Sequence, residues 1–159
     1  MSTDIISISA NRTRLLVNEN KNNEKKINLI HHGFDFQYFN NINLENIKNL
    51  KNKYRINPEN IIIGSIARFI DWKGVNYTIK AFKEYNKINP NSLLILANAH
   101  GPQESEINKM LSDLPLNSYR LIKFETDIIS LYKIFDIFVH VPIDPTCEAF
   151  GQVYIESLA

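Results

Sequence analysis

Apolar runs of strand length alternate with stretches of helical period along most of this chain. Asp4 to Ile8 reads as a short strand, followed by Ser9, a natural N-cap for a helix over 11–18. Ile27-Asn28-Leu29-Ile30-His31 reads as a second strand that ends at Gly33. The β-branched run Ile61 to Ile66 is bounded by Pro58-Glu59-Asn60 and by a charged turn from Arg68 to Gly74. Val75, Ile79, Phe82 and Ile88 then recur at helical spacing, an amphipathic helix of about four turns. Asn89-Pro90 stops it. Leu93 to Ala97 is the next strand, and Glu106, Ile107, Met110, Leu111 and Leu114 form a helix closed by Pro115. Tyr119 to Phe124 is a strand, Ile128 to Phe135 a short helix, Ile137 to Val141 a further strand, and a last helix begins at Gly151. Strands apolar on both faces and alternating with helices predict a doubly wound α/β fold, its parallel sheet covered on both sides. The last helix reaches Ala159 with no glycine cap and no basic final turn, and the first strand has almost no leader. The chain therefore reads as a piece truncated at both ends.

Composition narrows the function classes. A length of 159 residues is ample for one core, and 18 Lys+Arg against 17 Asp+Glu leave no bulk charge to favour nucleic acid or an anionic membrane. The single Cys147 rules out an internal disulfide and a thiolate zinc site, and fits a reducing compartment. With no basic leader and no apolar run near the roughly 20 residues that span a bilayer, the expected location is the cytoplasm.

Two loops at strand ends carry candidate chemistry. In Gly64-Ser65-Ile66-Ala67-Arg68-Phe69-Ile70-Asp71-Trp72-Lys73-Gly74, two cations follow a buried strand and precede a helix. Ligands of doubly wound sheets bind outside the carboxyl ends of the strands, where a guanidinium fork and an ammonium would grip phosphate oxygens. Taken alone, the pair reads equally as solvated loop cations. In Pro142 to Glu156, Glu148 lies in the loop and Glu156 on the helix, about 7 Å along the axis from Gly151. The amides of Phe150, Gly151 and Gln152 would lie between the two carboxylates, suiting phosphate in the middle and hydroxyl-bearing groups on either side. Each glutamate alone reads as dipole compensation or an exposed helix acid; the joint pattern with Arg68 and Lys73 reverses that. His31-His32-Gly33-Phe34-Asp35 reads either as a crevice-facing segment or as a turn with Gly33 at positive φ, and the ring of Phe150 reads as core. The histidines lack a ligand cluster, and no Asp-x-Asp pair, Gly-x-Gly-x-x-Gly or Walker loop occurs, so neither a metal nor a dinucleotide cofactor is expected.

Ile27 to Asp35, Gly64-Ser65-Ile66-Ala67-Arg68 with Lys73-Gly74, His100-Gly101-Pro102 and Glu148-Ala149-Phe150-Gly151 with Glu156 together resemble the carboxyl-terminal half of retaining GT-B glycosyltransferases, family 4, also called glycosyl transferases group 1. The resemblance implies a Rossmann-like, nucleotide-sugar-binding domain over 21–159, incomplete, with 1–20 the tail of an interdomain region or amino-terminal domain. It implies metal-independent transfer of a glycosyl group from an NDP-sugar donor, with retention. The acceptor, whether glycan, lipid or small molecule, would be bound by a missing amino-terminal domain, through which the protein would sit at a membrane. By the same resemblance Arg68 and Lys73 neutralise the diphosphate, and Glu148 contacts the transferred sugar; these three are the expected catalytic residues. Glu156 holds the ribose, Phe150, Gly151 and Gln152 offer amides, and the loop with Phe124 and Glu125 lies near the base. Two departures stand out: His32-Gly33-Phe34-Asp35 replaces the usual Asn-Gly-Val-Asp, and the glycine usual at the end of the strand Leu93 to Ala97 is replaced around Ala97-Asn98. The rival is a non-catalytic nucleotide-sugar binder or degenerate regulatory α/β domain. The strand ends, His, Arg, Asn and Phe, lack the carboxylate cluster of a receiver-like module.

Overall fold

The computed structural model describes residues 4–20, 24–144 and 146–159. The first three residues of the expected leaderless start, the expected domain boundary near 21, and Pro145 of the second candidate loop lie outside the described residues.

Four parallel strands form the main sheet: β3 (Ile61–Ile66), β4 (Ser92–Ala97), β5 (Tyr119–Ile122) and β6 (Ile137–Phe138), in the order β5-β4-β3-β6. The buried strand β4 explains why periodicity alone cannot be read there: alternate residues serve opposite cores. Leu94 and Leu96 join Ile63 under α4 (Val75–Ile88) and α5 (Glu104–Leu111). Leu93 and Ile95 join Ile62 and Ile66 under α3 (Leu44–Lys53) and α6 (Ile128–Lys133). Full burial of a Leu or Ile side chain is worth about 1.5–3 kcal/mol, so these four in β4 supply on the order of 6–12 kcal/mol. This central strand is the anchor of the sheet. The doubly wound α/β expectation is met.

The path of the chain locates the crevice. From β3 it runs through α4 to β4 and through α5 to β5, always outward on one side; it then returns through α6 to place β6 on the far side of β3. The order reverses between β3 and β6, and the loops leaving those two strands flank the switch point where ligands of such sheets bind. As an edge strand, β6 is shorter than the expected run to Val141. Only Val139 continues its pairing, donating to the Gly64 carbonyl at 2.8 Å.

The first strands differ from expectation. β1 (Ile5–Ser7) pairs in parallel with β2 (Ile27–Leu29), and the two form a separate small sheet. Leu29 and Ile30 are exposed, so this segment lacks the double burial that the main sheet imposes on its strands. Ser9 does cap the intervening helix α1 (Ala10–Asn20), its hydroxyl accepting from the Arg12 amide at 3.3 Å. Two helices absent from the pattern reading fill the stretch after Gly33. Asp35 caps α2 (Phe36–Asn40) and Asn43 caps α3, where only Ile47 and Leu50 turn to the core among Asn and Lys residues. Gly33 takes no positive φ, which removes the turn explanation for His31 to Asp35.

Candidate functional site

The β3 loop is built around a buried anchor. Phe69 is fully buried, and its backbone is tied to the β4 loop: its amide donates to the His100 carbonyl at 2.9 Å and its carbonyl accepts from Gln103 at 3.0 Å. With Phe69 pointing inward, Arg68 beside it points outward. It is exposed, and its guanidinium has no partner among the described residues. The chain then makes one 3-10 turn over Asp71–Lys73 and reverses at Gly74, φ 65°, before α4 begins. A side chain at Gly74 would also strike the Val141 carbonyl, so glycine is what lets the β3 and β6 loops touch. The amide of Ile143 donates to the Trp72 carbonyl at 3.0 Å across the same seam.

At this seam the two candidate loops meet side chain to side chain. The ammonium of Lys73 donates to Glu148 Oε2 at 2.5 Å, the two side chains only 15% and 23% exposed, and lies 4.5 Å from the Trp72 ring centroid. Nε2 of His140 reaches the same carboxylate oxygen at 3.2 Å. Burial would raise the Glu148 carboxyl, but the bonds from Lys73 and His140 outweigh it and hold the group below its usual value. For His140, burial is the largest influence and lowers the imidazole below its usual range; the Glu148 bond opposes this and the Lys73 charge adds to it. At neutral pH the site is thus a carboxylate between an ammonium and a neutral imidazole. Sequence reasoning missed His140. The available signal was one polar side chain inside the run Ile137-Phe138-Val139-His140-Val141, eight positions before Glu148.

The other candidates do not all join this centre. Gly151, at φ 69°, is the N-cap of α7 (Gln152–Leu158), and the amides of Phe150, Gly151 and Gln152 donate to no acceptor among the described residues. The ring of Phe150 belongs to neither core cluster; it stacks on His32 with centroids 5.2 Å apart, correcting its reading as core. Glu156 accepts from the buried Tyr132 hydroxyl at 2.7 Å through Oε2, and burial followed by this bond raises the phenol above its usual value. Glu156 therefore reaches across to α6 and shares no hydrogen bond or ion pair with Glu148 or Lys73. A cavity of about 170 Å³ opens at the ends of β3, β4 and β5, lined by Ile66, Asn98, Phe124 and Glu125 among others. Phe124 is 77% exposed there. Glu125 is engaged elsewhere: Lys53 and the Tyr54 hydroxyl donate to Oε2 at 2.7 and 2.6 Å, and the amides of Thr126 and Asp127 donate to Oε1. Burial alone would raise its carboxyl, yet these bonds bring it down to about 2. Its carboxylate ties α3 to the β5 loop, while Glu125 and Phe124 both line the cavity.

The sequence and the fold have counterparts among known proteins. The chain is 29% identical to the Staphylococcus aureus capsular polysaccharide biosynthesis glycosyltransferase CapM, over 99% of this chain and 41% of that protein. A glycosyltransferase from Rickettsia africae superposes with a TM-score of 0.78 at 26% identity, covering 98% of this chain and 41% of that one. Anabaena HepE, solved in complex with UDP and glucose, superposes with a TM-score of 0.82 at 22% identity, covering 99% and 42%. The chain thus spans about two fifths of the relatives it matches. The family model of the glycosyl transferases group 1 matches residues 46–159, from inside α3 through both switch-point loops to the last residue. By that match, the chain belongs to the glycosyl transferases group 1.

Proposed function

We propose that this chain is the donor-binding domain of a retaining glycosyltransferase of family 4, holding a nucleoside diphosphate sugar at the β3–β6 switch point. The observation that carries the reading is the Lys73–Glu148 ion pair joining the two loops there, with the unpaired Arg68 on the same loop as Lys73. Two cations on one loop, one of them paired to the loop that carries the open amides, suit a diphosphate. The complex of HepE with UDP and glucose supports the same class of ligand for this fold.

The reaction breaks the bond between the anomeric carbon and the β-phosphate oxygen, and the electron pair stays on the phosphate. Arg68, Lys73 and the amides of Phe150, Gly151 and Gln152 stabilise that charge from the chain itself, so transfer proceeds without a metal. Preorganised donors of this kind are worth about 2.7–4 kcal/mol each. Glu148 faces the transferred sugar, Glu156 the ribose, and the loop with Phe124 and Glu125 the base. Retention rests on the family resemblance. The acceptor glycan, lipid or small molecule is held by an amino-terminal domain, through which the protein, in the cytoplasm, sits at the membrane periphery.

Isothermal titration of the full-length protein with UDP-, GDP- and ADP-sugars tests this. One of them binds with micromolar affinity, and R68A weakens it at least tenfold. Silence with all three overturns the reading, and binding without transfer to any acceptor favours the regulatory alternative.

A further inference from the structure

His140 packs as a hydrophobic residue would, yet keeps one polar bond. Its side chain is fully buried. The ring lies parallel to Phe138 at 6.4 Å and edge-to-face with Tyr154 at 5.0 Å, and the Tyr154 hydroxyl reaches the His140 carbonyl at 3.4 Å. An ionised carboxylate only accepts hydrogen bonds, so the 3.2 Å contact to Glu148 assigns the proton of the neutral ring to Nε2. That leaves Nδ1 as a bare acceptor, buried and without a partner among the described residues. An unpaired buried nitrogen is costly, and phenylalanine would fill the same space without it. What the histidine gains in return is the bond to Glu148.

Lys73 and His140 both hold Oε2, while Oε1 of Glu148 has no partner among the described residues. The two donors differ in kind. Lys73 has a flexible stem and three protons, and an arriving diphosphate competes for its charge. His140 is locked between two rings and carries no charge for a phosphate to attract. We propose that His140 is a positioning residue: it keeps the Glu148 carboxylate in place, with one oxygen free for the sugar, when the donor diphosphate draws Lys73 away. This rests on the donor-site reading above. The groups that face the imidazole are Lys73 from the Asp71–Lys73 turn, Glu148 from the β6 loop, Tyr154 from α7 and Phe138 from β6.

The test is kinetic, on the full-length protein with H140F and H140Q. H140F keeps the aromatic packing and removes the donor, whereas the amide of H140Q restores an N–H near the Nε2 position. We expect H140F to retain its melting temperature and its nucleotide affinity within about twofold, and to lose kcat at least tenfold. The acid limb of its kcat profile moves to higher pH, because Glu148 has lost a bond that favours its ionised form. H140Q recovers most of the rate. Wild-type kcat in H140F, equal losses in the two variants, or a loss that tracks melting temperature overturns the inference. Should H140F fail to fold, ¹⁵N shifts of the wild-type imidazole decide: a neutral ring protonated on Nε2 at pH 7 supports it, and an Nδ1–H tautomer or an imidazolium overturns it. Failure of the donor site itself shows separately, as a flat nucleotide titration of the wild-type protein.

Discussion

Arg68 and Lys73 lie on one short loop in different electrostatic surroundings. Lys73 is half of an ion pair sheltered by Trp72, while Arg68 stands in solvent with its fork unused. Their removal should therefore separate binding from stability. R68A leaves the melting temperature unchanged and lowers kcat/KM by about 100- to 1,000-fold, the range for loss of one preorganised donor. K73A lowers it comparably and also destabilises the fold by about 1–3 kcal/mol, because Glu148 keeps its half-buried charge without its main partner. Kinetics and urea unfolding of both variants check this; equal effects on stability would contradict it. Asn98 is a second residue-scale case. It stands where the family glycine is expected, and the structure gives it φ 60°, a left-handed conformation that asparagine tolerates better than other side chains. Its amide oxygen also holds the His100 ring at 2.9 Å. N98A should cost about 1 kcal/mol in urea unfolding, with N98G near neutral. The departure from the family pattern is conservative once the backbone is seen.

Between elements, the Glu125 latch shows what the sequence could and could not say. Strands β3, β4 and β5 and the amphipathic helix α4 are legible because burial on two faces, or on one stripe, leaves a plain apolar pattern. Helix α3 is not, since Ile47 and Leu50 are diluted by Asn and Lys, and tertiary contact stabilises what local pattern does not announce. The resemblance puts Glu125 near the base, and what no local pattern announces is that its carboxylate ties to Lys53 and Tyr54 at the end of α3. Lys53 is 56% exposed, so screening weakens its share. E125Q should destabilise by about 1.5 kcal/mol at pH 7, the low end for bonds to a charged group. The folded carboxyl titrates at about 2 against an ordinary value of 4.5, so its contribution is complete above about 4.5 and is lost as pH falls from there through 2. Urea unfolding at pH 7, 4 and 3 should show the wild-type advantage shrinking on acidification. A constant difference would mean that the carboxylate is not the tie.

Over the whole molecule, alternation of strand and helix predicted the layers, but strand order lies in long-range pairing that no local pattern records. It is the order β5-β4-β3-β6 that turns two loops 75 residues apart into one site. Helix α1 and the segment after β2 add a second grip on the later loop. The Arg12 guanidinium donates to the Cys147 carbonyl at 3.3 Å, and His32 stacks on Phe150, so residues 147–150 lie between the Lys73–His140 side and the first sheet. His32 is the departure from the family's Asn-Gly-Val-Asp, and its ring supplies a contact that asparagine could not. One such stacked pair is worth about 0.5–1.5 kcal/mol, and a hydrogen bond as long as 3.3 Å adds little. In the full-length protein, H32N with R12A should speed amide exchange at 147–151 on the order of two- to tenfold, the rate equivalent of that stacking energy. Donor KM should rise by a similar factor, since the amides that meet the diphosphate are then less well placed. Exchange in β4 should not move, because its protection comes from a core that neither side chain touches. Unchanged exchange at 147–151 would mean that the β6 loop is held from the Lys73 side alone, and faster exchange in β4 would mean that the first sheet supports the main sheet as a whole.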